Sequence, residues 1–241
     1  MATALGTDRH VVCKRSKPPP RTADAACIAI NDVTQDRYLC KDQAKMNWLP
    51  IAEWVAQHLA RRCGLLIPDC YVVELEANPD VYLFGSKWEG GAEQYAPDIV
   101  GKVTNPEQFS AIHAFDLLIH NVDRHLNNYL YLQLACDTVV KAVDHSRCLW
   151  CSGWPMPAPP PDGGSKTMLC KPIWLADAPW NDAAAREIVQ EWRQVDRSEV
   201  QAMFDSAPPS WVLPDLKDNF LTWWGSGEWD QRTDQVNGAL P

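Results

Sequence analysis

A chain of 241 residues is long enough to bury a sizeable core, either as one domain or as two small lobes around a cleft. Its 46% hydrophobic and 22% charged residues suit a globular protein, and a net charge of −9 argues against general attraction to nucleic acid or anionic membrane. The first residues lack the apolar stretch of a secretory signal, no run approaches the roughly 18 apolar residues of a membrane span, and nine scattered cysteines fit free thiols in a reducing cytoplasm.

In chain order, Arg9, Lys14, Arg15, Lys17 and Arg21 come first, with no acidic residue among them. They form either a phosphate-facing patch or a solvated basic arm. Residues 27–30 and 37–41 are short apolar runs around a polar turn, which predicts a β-hairpin. A helix follows, with Trp48, Ile51, Ala52, Val55 and Leu59 spaced three and four apart, Pro50 in its first turn and Gly64 at its end. Residues 70–75 and 81–84 read as strands, and Gly85, Gly90 and Gly91 as a loop. A second helix is expected from Asn105 as the cap, with Pro106 at the first helical position and Phe109, Ile112, Phe115, Leu118 and Ile119 on its apolar face. Strands are expected at 129–134 and 139–143 around a turn at 135–138. Residues 151–164 hold five prolines and three glycines and read as a long exposed loop, and 183–205 and 211–224 as helices. The pattern is α+β: a strand-rich part over residues 1–100, then a mainly helical part over 101–241 that carries a short hairpin.

The chemistry concentrates in Asn121-Val122-Asp123-Arg124-His125-Leu126-Asn127-Asn128 and, one hairpin later, Ala142-Val143-Asp144-His145. Pairing about the 135–138 turn places Asn128 opposite Asp144 at the open end of the hairpin. An amide oxygen and a carboxylate there suit a hard divalent cation such as Mg²⁺, which takes oxygen ligands and keeps several waters. Asp123, on the loop just before, is then placed to orient or deprotonate an attacking hydroxyl. Phosphoryl transfer asks for little beyond such positioning and charge neutralisation.

The Asp-Arg-His-x-x-Asn loop with its later Val-Asp-His resembles the atypical kinases of the HipA-like family and, more distantly, the phosphoinositide kinases. The resemblance implies a bilobal atypical protein-kinase-like fold, with ATP and Mg²⁺ as cofactors. Asp123 fills the place of the catalytic aspartate, with Arg124 and His125 beside it, and Asn128 and Asp144 fill the metal-holding places. Lys41, in Tyr38-Leu39-Cys40-Lys41, matches the strand lysine on the ATP phosphates, and Glu53 matches its helix partner. Gly64-Leu65-Leu66-Ile67-Pro68, Phe84-Gly85-Ser86 and Ala207-Pro208-Pro209-Ser210-Trp211 are also similar to family segments, so the likeness runs from about residue 25 to 225. The departure is at the phosphate loop. Residues 11–26 contain no glycine, and Pro18-Pro19-Pro20 stiffen the backbone. Lys17, Arg21 and Thr22 are the candidate side-chain substitutes for backbone contacts to phosphate.

Alternatives stay open at several positions. Lys45 competes with Lys41, and Glu53 reads either as an ion-pair partner or as a solvated helix residue. Arg124 has Asp123, Asp144 or a phosphate as candidate partners, and His125 is expected to brace the loop through hydrogen bonds. His145, Cys148, Cys151 and Cys170 have metal-like spacing, but a lone Cys-x-x-Cys is weak evidence for zinc. Three functions follow: a Ser/Thr protein kinase, as HipA-like toxins are; a small-molecule or phosphoinositide-type kinase; or a pseudokinase-like nucleotide-binding module. The expected partners are a protein or small-molecule hydroxyl substrate and, by resemblance, an antitoxin or operon-encoded protein. Direct binding to nucleic acid or membrane is not expected.

Overall fold

The computed structural model describes residues 9–18, 24–93, 95–96 and 98–241. Six strands, β1 (His10–Cys13), β2 (Arg15–Lys17), β3 (Cys27–Ile30), β4 (Arg37–Lys41), β5 (Cys70–Leu75) and β6 (Asn78–Lys87), form one sheet in the order β1-β5-β6-β4-β3-β2. Only β1 and β5 pair in parallel. Between β4 and β5 runs α1 (Leu49–Arg62). A second, three-stranded sheet joins β7 (Ala92–Glu93), β8 (Tyr129–Leu134) and β9 (Asp137–Ala142). The remainder is helical: α2 (Glu107–Leu118), α3 (Lys166–Trp174), α4 (Asp182–Gln194), α5 (Arg197–Asp205), α6 (Pro214–Trp223) and α7 (Gly227–Ala239). The protein is thus α+β, with a sheet-based N-terminal part and a helical C-terminal part. Among the described residues no helix is long and apolar enough to cross a membrane.

Local chemistry explains the elements that position the site. The β3–β4 hairpin closes because the Asn31 side-chain oxygen accepts from the amides of Val33 (2.9 Å) and Thr34 (3.0 Å). That turn sets Lys41 at the end of β4, opposite Phe84 of β6. Helix α1 was expected to bury one face, yet every residue from Leu49 to Ala60 is buried, including Glu53, Gln57 and His58. It packs against β6 on one side and against α4 and α5 on the other, so no flank is left for water. Two indoles pin the helical part to the rest. Trp211 donates its ring N–H to the Tyr82 carbonyl in β6 (2.9 Å), and Trp54 in α1 donates to the Met203 carbonyl in α5 (3.0 Å).

Several sequence expectations are corrected. Gly85 lies inside β6 rather than in a loop, because an added Cβ would come within 2.3 Å of the Val73 methyl on β5. Asn105 does not cap α2. Its amide instead exchanges hydrogen bonds with the backbone of Val140 (2.8 and 3.1 Å), fastening the start of α2 to β9, and Pro106 takes the cap position. The span 183–205 is two helices, broken where Asp196 and Glu199 form a reciprocal capping box. The β8–β9 turn is tighter than expected: Ala135 adopts a left-handed φ of 51°, and Leu134 pairs directly with Asp137. This register sets Asn128 against Val143, whose amide donates to the Asn128 carbonyl (3.1 Å), so Asp144 lies one residue beyond the pair. A one-residue slip in a strand reverses the face of a side chain. Asp144 has left the strand, however, with a φ of 61°, and its carboxylate meets Lys41 across from the sheet.

Candidate active site

Three segments converge. The first is the loop leaving α2. Asp116, fully buried near the end of that helix, takes both forks of the Arg124 guanidinium (2.7 and 2.8 Å) and the Asn121 amide (2.9 Å). The third Arg124 nitrogen donates to the carbonyls of Asn128 (2.7 Å) and Val143. Arg124 therefore ties the loop to both strands of the hairpin. Burial opposes its charge, but Asp116 raises its affinity for the proton still further. The sequence offered Asp123, Asp144 or a phosphate as its partner. The structure pairs it with Asp116 and leaves it no exposure with which to meet a substrate.

The second segment is the turn after β9. Asp144 Oδ1 accepts from Lys41 Nζ (2.7 Å), from the Ser146 amide (3.3 Å) and lies 2.6 Å from the Ser146 hydroxyl. Burial alone would raise the Asp144 carboxyl, but the Lys41 ammonium and the Ser146 bonds hold it well below the usual carboxylate range. Lys41 also pairs with Glu53 on α1, and the His145 amide donates to both oxygens of the same carboxylate (3.1 and 3.2 Å). Burial raises the Glu53 carboxyl; Lys41 pulls it back. Glu53 is thus an ion-pair partner and not a solvated helix residue. Lys45, by contrast, is exposed. Lys41→Ala should weaken nucleotide chemistry and cost stability near the ~3 kcal/mol lower end for a broken buried pair, since Glu53 keeps the His145 amide. Lys45→Ala should leave melting temperature and activity unchanged, and equal losses in both variants would undo the assignment.

The third segment is the start of α3, which periodicity did not reveal. Ser165 caps it by accepting from the Met168 amide (3.2 Å), a signal legible in the Gly163-Gly164-Ser165 run. Lys166 places its ammonium 2.6 Å from an Asp123 oxygen. Asp123 is itself about one-third exposed, and its main chain is fixed by Asn121 on one side and by the Asn128 amide on the other (3.4 and 3.2 Å). His125 lines a cavity of about 330 Å³ that opens beside Lys166. Among the described residues no side-chain hydrogen bond holds its ring, contrary to the expected brace, and burial lowers its affinity for a proton while Asp123 opposes the shift.

Asp24, Ser146 and Arg147 form a polar cluster beside Asp144 that the sequence reading missed. Asp24 lies 2.9 Å from the Ser146 hydroxyl and 3.0 Å from the Arg147 guanidinium. Of the candidate phosphate ligands, Lys17 is exposed on the sheet-edge strand β2, while Arg21 and Thr22 lie outside the described residues.

The donor set bears on a metal. Among the described residues no three His, Cys, Asp or Glu side chains converge as a metal cluster. Asn128 uses its amide N–H on the Asp123 carbonyl and Asp144 uses Oδ1, so Asn128 Oδ1 and Asp144 Oδ2 keep free lone pairs among the described residues. Two open oxygens of this kind fit Mg²⁺, which completes its octahedron with waters and substrate phosphates, better than a cation needing a full protein cage.

Comparison with known proteins bears on the family and the fold. The model of the HipA-like kinase family matches residues 26–149, just over half of the chain. Among solved structures, the Helicobacter pylori proinflammatory kinase CtkA is similar at 14% identity and a TM-score of 0.61, over 96% of this chain and 98% of CtkA. Shewanella oneidensis HipA, solved with HipB and operator DNA, is similar at 10% identity and a TM-score of 0.53. That likeness spans 93% of this chain but only 65% of HipA. No curated protein matches the sequence.

Proposed function

Because the chain belongs to the HipA-like kinase family, we propose that it transfers the γ-phosphate of ATP to a hydroxyl, with a protein Ser or Thr as acceptor. The observation that carries this reading is Lys41, buried and held between Glu53 and Asp144 so that α1, the β-sheet and the turn after β9 share one charge network. Such a pair orients a lysine for nucleotide phosphates, while Asp123 stands free enough to accept the acceptor's proton. Asn128 and Asp144 would hold Mg²⁺, which when bound neutralises phosphate charge. What favours a polypeptide acceptor over a small polar alcohol is the groove beside Lys166. Leu169 and Ile173, one helical turn apart on α3, are 56% and 49% exposed there and offer apolar surface to a neighbouring side chain. A cytoplasmic location and an antitoxin-like partner belong to the same reading, the latter by likeness to the HipA that was solved with HipB.

The test is nucleotide binding with and without metal. With no glycine in residues 11–26, few backbone amides can approach phosphate closely, so affinity should lean on Mg²⁺ and basic side chains. ATP should raise the melting temperature clearly with Mg²⁺ and little with EDTA. Asp144→Ala should remove most of the metal-dependent part, and Arg21→Ala should reduce binding modestly if the basic arm contacts phosphate. The same glycine-free segment favours a second reading, a module that binds nucleotide without transferring phosphate. Equal ATP affinity in both conditions would favour that module.

A further inference from the structure

We propose that Lys166 is a catalytic residue: its ammonium leaves Asp123 for the transferred phosphoryl group as Asp123 takes up the acceptor's proton. This rests on the phosphotransferase reading above.

The first support is architectural. The start of α3 is stitched to the loop carrying Asp123 by bonds that Lys166 and Thr167 make on either side of Asp123. The Lys166 amide donates to the Val122 carbonyl (3.1 Å). The Thr167 hydroxyl, buried, accepts from the Arg124 amide (3.1 Å) and donates to the Asn121 carbonyl (2.5 Å). Helix α3 therefore begins against residues 121–124, with the partial positive charge of its N-terminus on the same side. Yet the Lys166 side chain is 63% exposed, and an exposed ion pair of this kind adds little to stability. The fold has fixed the position of a charge that the fold itself does not need.

The second support is an inventory of cations. Lys41 is neutralised by Glu53 and Asp144, Arg124 by Asp116, and Arg147 by Asp24. Lys166 pairs with Asp123 alone among the described residues. In the transfer, the acceptor oxygen bonds to the γ-phosphorus and the bond from that phosphorus to the β–γ bridging oxygen breaks. Its electron pair stays on ADP, and the hydroxyl proton passes to Asp123. A protonated Asp123 no longer holds the Lys166 charge, which becomes free at the moment when negative charge is spread over the phosphoryl oxygens. A cation that strengthens its contact only along the reaction lowers the barrier without tightening substrate binding.

The experiment compares the wild-type chain, Lys166→Met and Lys166→Arg in steady-state phosphotransfer with Mg²⁺ and γ-labelled ATP. It also measures the affinity of each for ADP alone and for ADP with aluminium fluoride, a mimic of the transferring phosphoryl group. For Lys166→Met, kcat should fall about 10²-fold, the usual cost of losing one such donor, with the KM for ATP and ADP affinity unchanged. The gain in affinity on adding aluminium fluoride should shrink by a similar factor, and Lys166→Arg should recover part of both. An unchanged or increased kcat in Lys166→Met would mean that Lys166 merely covers Asp123, and would overturn the inference. Loss of kcat with the aluminium fluoride gain intact would overturn it too, as an indirect effect. A wild type inert with ATP overturns the phosphotransferase reading and this inference together.

Discussion

Asp123→Asn should lower kcat by about 10²–10⁴-fold, the range for loss of a positioned general base, while leaving the KM for ATP nearly unchanged. The substitution keeps size and shape and removes the carboxylate proposed to take the acceptor's proton. The fold should not suffer, because the loop is held through the Asp123 backbone: its amide meets Asn121 and its carbonyl meets Asn128. The carboxylate touches only the exposed Lys166 among the described residues. A stability change within about 0.5 kcal/mol is therefore expected, as for other surface positions. Steady-state kinetics and a thermal melt on the same preparation check both halves. A variant that transfers phosphate at the wild-type rate would remove Asp123 from the mechanism.

Arg124→Ala should be the most destabilising single change at the site. It leaves the Asp116 carboxylate buried without its bidentate partner and strips two carbonyls of their donor. Breaking such a pair costs about 3–5 kcal/mol, which for a chain of this size is a fall of about 6–20 °C in melting temperature. Activity should be lost as well, but through the loop and not through a missing substrate contact. The double variant Arg124→Met with Asp116→Leu separates these effects. An apolar pair of similar bulk should restore most of the stability, since the uncompensated charge is gone. Asn121, Asn128 and Val143 would still lack their anchor, so activity should stay low. A single-variant loss below about 1 kcal/mol would show that the buried pair does not hold the loop.

Much of the fold was legible in local pattern. The 27–41 hairpin followed from two apolar runs around a polar turn, and α1 from its three-and-four spacing with proline and glycine at its ends. These signals are short-range, so one sequence window contains them. The helices α3 and α7 left little trace. Only three of the nine residues of α3 are buried, and on α7 the buried set includes Arg232 and Thr233, so neither shows a clean apolar stripe.

For the site, the sequence by itself determined the candidates: Asp123, Asn128 and Asp144 at kinase-like spacing, with Lys41 and Glu53 ahead of them. Tertiary structure decided the partners. That Lys41 rather than Lys45 is buried depends on where β4 ends against β6, and Glu53 meets it because α1 is enclosed on both sides. The partner of Arg124 is Asp116, a buried charge among the apolar residues at the end of α2 that no spacing signal marked out. Lys166 stands 43 residues beyond Asp123 and reaches it across the proline-rich segment. Spacing along the chain carries no information about such pairs, because chain folding over tens of residues sets the distance between charges. What makes the pairing specific is the cost of leaving a buried charge without its partner, and that cost exists only once the core has closed around it.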